Sequence, residues 1–202
     1  DAQEVAELCG MSCGRGGLYH ETACVIDPRS VCALLKEGSP IRNEVSVTGL
    51  VQEDGGWTVI CDTASFTAKH VILCGGAGAE ALIRTAGIIT DRLQVTSGQI
   101  SLMPEHTSLS ALSKTLNYGG YLIPVRHQAQ ICGASFALSA TTDITVEADH
   151  HNLALMPEQL HSLAGDVDEF LGRTSLRLAV TDRLPLSGQI VPGLSVLSCL
   201  GA

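Results

Sequence analysis

The sequence predicts an α+β chain made of two interleaved lobes. Three observations carry that expectation. The run His70-Val71-Ile72-Leu73 is almost wholly apolar and feeds a glycine-rich turn, as expected for a parallel strand covered on both faces. Residues 44–68 instead alternate with a period of two around Asp54-Gly55-Gly56, the signature of antiparallel ribbons. The second half is rich in further strand patterns and has one long helical stretch.

Taken in order, Val5, Ala6 and Leu8 mark a short helix over residues 2–9 that stops at Gly10. A turn at Gly14-Arg15-Gly16-Gly17 leads to an expected short strand at Leu18–His20. Asp27 then caps a helix with Pro28 at its first position, Val31, Leu34 and Leu35 on its packed face and Gly38 at its end. Val45, Val47 and Leu50 form one strand, Trp57, Val59 and Cys61 its return, and Phe66 and Ala68 a third. After Leu73, Cys74-Gly75-Gly76-Ala77-Gly78-Ala79-Glu80 opens a short helix. Later strands are expected at Gly98–Met103, Gly120–Val125, Gln130–Phe136 and Leu176–Thr181, with a helix over 150–163 interrupted or capped near Pro157. The uncharged run Leu184–Ala202 holds Pro185, Gly188, Pro192 and Gly193, which break a membrane helix and suit two strands joined by a turn.

The 202 residues suffice for a real core. With 12 Lys+Arg against 21 Asp+Glu the net charge is −9, which disfavours nucleic-acid binding by this stretch alone. A hydrophobic fraction of 45% excludes disorder, while 16% charged residues is low against about 25% in ordinary domains. The first residue is Asp1 and the last residues are apolar, so the sequence reads as a piece of a longer protein with part of its surface normally covered. No Cys-x-x-Cys pair or finger-like His spacing occurs among the eight cysteines, so no metal is expected. They read as buried reduced thiols, Cys61 and Cys74 included, which favours the cytosol.

Several segments could carry chemistry. Gly75-Gly76-Ala77-Gly78 follows a strand and opens a helix, where backbone N–H groups can approach a pyrophosphate; a plain tight turn is the alternative. Tyr121 places a hydroxyl beside Gly119-Gly120, or is a core tyrosine. Arg177 interrupts the apolar strand Leu176–Val180, and such a charge needs a buried carboxylate or an anionic ligand. The adjacent His150 and His151 cannot share a helix face and read as solvated or capping groups. No G-x-S-x-G elbow supports a nucleophilic triad, so no catalytic side chain is assigned.

In sequence order these segments resemble the D-amino-acid-oxidase-type FAD-dependent oxidoreductases. The resemblance rests on Gly16-Gly17-Leu18, Ile26-Asp27-Pro28, Glu44–Leu50, the Trp57 ribbon and Val71–Ala77. It continues through Gly98-Gln99-Ile100, Gly120–Pro124, Cys132–Phe136, Arg177 and Thr181–Gly188. His150…Asn152-Leu153 and Asp182-Arg183-Leu184-Pro185 favour the branch formed by the oxidoreductase half of the bifunctional enzymes of tRNA 5-methylaminomethyl-2-thiouridine biosynthesis. Ser97 departs from the usual Arg before Gly98-Gln99, and Val25 from the branch's usual Trp. The family's G-x-G-x-x-G unit does not occur in these residues.

The resemblance implies a truncated FAD-dependent oxidoreductase fold without the N-terminal Rossmann βαβ. Its α/β flavin-domain part would be residues 17–92 and 183–202, and its mixed or antiparallel sheet substrate domain residues 1–16 and 93–182. FAD would be bordered by Val47, Gly75, Gly76, Ala77 and Gly201, and the substrate by Arg177 and Tyr121. The implied reaction of the whole enzyme is oxidation of a C–N bond in carboxymethylaminomethyl-(2-thio)uridine of tRNA. Hydrolysis of the imine then releases glyoxylate, and a fused S-adenosylmethionine-dependent methyltransferase methylates the amine. A small-molecule amine or amino-acid oxidase and a non-catalytic α+β domain are the competing readings.

Overall fold

The computed structural model describes residues 1–88, 93–105, 107–125, 129–182 and 184–200. The chain divides into two units, each packed within itself. The first comprises residues 1–35, 97–137 and 141–175, and the second residues 36–96, 138–140 and 176–202.

In the first unit, α1 (Ala2–Cys9) starts on a capping box: the Asp1 side chain accepts from Gln3 N and Glu4 N, and the Glu4 side chain reaches back to the Asp1 amine. That amine holds the Glu4 carboxyl below its ordinary range. Helix α2 (Pro28–Leu35) opens as expected, with Asp27 accepting from Arg29 N at 3.0 Å. Its apolar stripe is the first correction. No α2 residue is buried, and Leu34 and Leu35 are 70% and 76% exposed, because no element of the unit covers that face. Leu18–His20 is coil rather than strand: it finds no ladder partner, and Leu18 is 91% exposed.

The second unit has two three-stranded sheets. Strands β1 (Val47–Glu53), β2 (Gly56–Cys61) and β3 (Ser65–Ala68) form an antiparallel meander. Strand β4 (Val71–Leu73) leads to α3 (Ala77–Thr85), as the sequence suggests. It pairs in parallel with β11 (Leu194–Ser198), which forms a hairpin with β10 (Leu186–Val191), so the uncharged C-terminal run becomes two strands and a turn. Covering on both faces does not hold for β4. It is an edge strand in the order β10-β11-β4, and Ile72 is 62% exposed.

A third sheet has the order β6-β7-β8-β5-β9. Its strands are β5 (Leu93–Met103), β6 (Leu116–Asn117), β7 (Tyr121–Ile123), β8 (Gln130–Gly133) and β9 (Leu171–Val180). Strands β5 and β9 start five residues earlier than expected, and β6 lies outside the expected strands. Helix α4 (Val146–Leu155) begins four residues before the expected start at 150, because Thr145 caps it by accepting from Ala148 N. A separate turn, α5 (Glu158–His161), follows Pro157.

The first unit's core gathers Met103, Leu109, Leu122, Cys132, Met156 and Leu160. The second gathers Leu50, Trp57, Leu73, Ile83, Leu194 and Val196. Trp57 donates to Pro192 O at 3.1 Å across Gly193, whose φ is +76° and where a Cβ would stand 2.9 Å from the indole nitrogen. Burial of the thiols holds for Cys9, Cys13 and Cys132 only. Cys24, Cys32 and Cys74 are exposed, and Cys74 lies beyond the end of β4. Among the described residues no helix is long and apolar enough to cross a membrane.

Candidate functional site

The β4–turn–α3 unit builds the site from backbone. Gly76 adopts φ 54° and ψ −129°, a conformation that disfavours an L side chain, and this swings the chain directly into α3. No side chain caps α3; Gly78 N donates to Gly75 O at 3.2 Å and Ala79 N to Gly76 O at 3.0 Å, so the turn ties part of the first helical turn to its own carbonyls. A Cβ built at Gly76 or Gly78 would meet nothing within 4 Å. Glycine there is therefore not demanded by packing within the chain. It leaves open space beside the start of α3, the kind of place where a phosphate-bearing group can come close to a main chain. Glu80, the acid in the first turn, is held by Arg84 at 2.7 Å. Ala77 is the first residue of α3. Val47 is the first residue of β1 and is 39% exposed.

Arg177 lies on β9 in the part that belongs to the second unit and is half-buried, on a stretch whose Leu178 and Val180 are buried. Among the described residues it has no ion pair, so none of them supplies the carboxylate partner that the sequence offers as one alternative. Tyr121 lies on β7 in the first unit, half-buried and opposite Gly133 of β8. Gly201 lies outside the described residues. His150 and His151 are both exposed, and no group of three or more potential metal ligands stands together among the described residues.

The sequence pattern does not reveal a buried polar group in the first unit. Gln99, Ser101, Asp149 and Asn152 are each at most 3% exposed. Asp149 accepts from Gln99 Nε2 at 2.8 Å and from Ser101 Oγ, and Asn152 Nδ2 donates to Ser101 Oγ at 2.9 Å. Beside them burial pushes the Cys132 thiol up to about 12; the Asp149 charge adds to this and the Ser101 hydrogen bond opposes it. Burial likewise raises the Tyr118 hydroxyl, whose oxygen has no partner among the described residues. The available signal was Asp149 and Asn152 at i and i+3, which share a helix face once Thr145 is taken as the cap.

The family profile described as FAD dependent oxidoreductase (DAO) matches residues 1–202. The chain belongs to this family. Among curated relatives, the tRNA 5-methylaminomethyl-2-thiouridine biosynthesis bifunctional protein of Paraburkholderia xenovorans is 30% identical over 200 residues, covering 94% of this chain and 30% of the relative. The protein of the same name from Aeromonas hydrophila is 28% identical over 93% of this chain and 30% of its own length. The chain thus spans about a third of the length of these relatives. Among solved structures, the amino acid oxidase NikD superposes with a TM-score of 0.66 at 20% identity, over 88% of this chain and 53% of that one. Glycine oxidase from Bacillus cereus gives 0.62 at 17% identity, over 79% and 44%. The α+β architecture is accordingly that of a portion of a DAO-type FAD-dependent oxidoreductase.

Proposed function

We propose that the chain is part of an enzyme that oxidises a C–N bond and removes the carboxymethyl arm of carboxymethylaminomethyl-(2-thio)uridine at the wobble position of tRNA. In this reading a fused methyltransferase then methylates the exposed amine with S-adenosylmethionine, as the names of the bifunctional relatives suggest. The enzyme works in the cytoplasm. In this reading Gly75, Gly76, Ala77, Val47 and Gly201 border the flavin, and Arg177 and Tyr121 the substrate. FAD, when bound, supplies the two-electron acceptor.

The observation that carries the reading is Arg177, a half-buried guanidinium in an apolar strand with no ion pair among the described residues. A planar guanidinium grips a carboxylate through two parallel hydrogen bonds, which fixes both position and orientation. Held in this way, the carboxymethyl group presents its methylene carbon for oxidation. Tyr121 borders the same substrate. No general base is asked of these residues. The 202 residues on their own are inactive, because the G-x-G-x-x-G unit that would hold the ADP half of FAD is not among them.

The test is made on the full-length protein. It co-purifies with flavin, and Arg177→Ala loses at least about a hundredfold in kcat/KM for hypomodified tRNA, the scale of a lost charge-assisted pair. Absence of flavin refutes the enzyme reading, and wild-type kinetics for Arg177→Ala refute the clamp.

A further inference from the structure

The buried polar group of the first unit centres on Gln99, whose side chain reaches Thr145, Asp149 and Thr174. Nε2 donates to Thr145 O at 2.9 Å and to Asp149 Oδ1 at 2.8 Å. Oε1 accepts from Thr145 N at 2.9 Å and lies 3.2 Å from Thr174 Oγ1, whose one proton is shared between it and Asp143 O at 3.0 Å. The main chain of Gln99 is tied as well, its N–H to Ser135 Oγ at 2.9 Å and its carbonyl to Asn152 Nδ2 at 3.0 Å. A carboxylate only accepts hydrogen bonds, so Asp149 dictates which end of the amide faces it and leaves Oε1 to face Thr174.

Thr174 belongs to β9, three residues before Arg177. Gly172, two residues earlier on the same face, is pressed against the same amide: a Cβ there would collide with Ile144 and stand 3.0 Å from Gln99 Nε2. The strand is thus pinned at two successive inward positions by one oriented side chain, and Arg177 projects from its opposite face.

We propose that Gln99, oriented by Asp149, is a positioning residue for Arg177, fixing β9 through Thr174 and Gly172. This rests on Arg177 being the carboxylate clamp. The chemistry concerned is binding of a carboxylate-bearing amine, whose carboxylate is gripped less tightly when the guanidinium is displaced.

The experiment is a double-mutant cycle in the full-length, flavin-loaded protein, with hypomodified tRNA as substrate. Thr174→Val keeps the shape and removes the hydroxyl. It raises KM about tenfold with kcat within about twofold, the scale of one hydrogen bond. Thr174→Ser restores KM, and Gly172→Ala, which displaces the amide sterically, reproduces the rise. In an Arg177→Ala background Thr174→Val has no further effect. An unchanged KM for Thr174→Val, or equal losses in both backgrounds, overturns the proposal while leaving the clamp intact. Wild-type behaviour of Arg177→Ala alone overturns the clamp, and this inference with it.

Discussion

The two units bury different chemistry. The first places Gln99, Ser101, Asp149 and Asn152 at its centre and ties β5, α4 and β9 together with directional bonds. The second closes around Leu50, Trp57, Ile83 and Leu194, where shape does most of the fixing and the indole makes one long-range hydrogen bond. Their charges differ too. The first unit has 5 Lys/Arg against 13 Asp/Glu, a net −8, whereas the second has 7 against 8, a net −1. The acidity noted in the sequence therefore belongs almost entirely to one unit. A surface of that sign repels RNA phosphates.

Three substitutions test that contrast, taken from the largest expected effect down. Trp57→Ala empties the second core and loses about 3–5 kcal/mol in urea unfolding. A loss under about 1 kcal/mol would show that the second unit does not depend on shape. Asp149→Ala leaves one of the two Gln99 Nε2 protons and the Ser101 hydroxyl without an acceptor and costs about 2–3 kcal/mol, whereas an apolar-core explanation of the first unit expects little change. The smallest effect concerns pH. The Cys132 thiol stays protonated in the fold up to about 12, above its ordinary value of 9.0. Between those values the unfolded chain binds fewer protons than the native one, so stability falls as pH rises, by at most about 1.4 kcal/mol per unit. Cys132→Ala flattens that part of the alkaline unfolding curve; an unchanged slope would remove Cys132 from the buried network.

Much of this architecture is legible in local pattern. Asp27-Pro28, the period-two ribbon about Asp54-Gly55-Gly56, and the strand–glycine–helix run at 71–80 each carry their own short-range signal. The errors arise where burial depends on distant neighbours. The stripe Val31, Leu34 and Leu35 has the spacing of a packed face, yet nothing in its unit covers it. Val71-Ile72-Leu73 has the composition of an interior strand but lies at a sheet edge. Of the candidate site, the glycine turn and Arg177 stand out because a cluster of glycines and a lone charge among aliphatics are local anomalies. Gln99 and Asp149 are ordinary polar residues fifty positions apart, and only the packing of α4 on β5 brings them together.

The most direct measurement of the central claim is glyoxylate release by the full-length, flavin-loaded protein, offered hypomodified tRNA and free glycine in parallel. The account expects stoichiometric glyoxylate from the tRNA, with an aminomethyl group left on the wobble uridine, and negligible turnover of glycine. Turnover of glycine with an untouched tRNA would contradict it and identify a small-molecule amine oxidase instead.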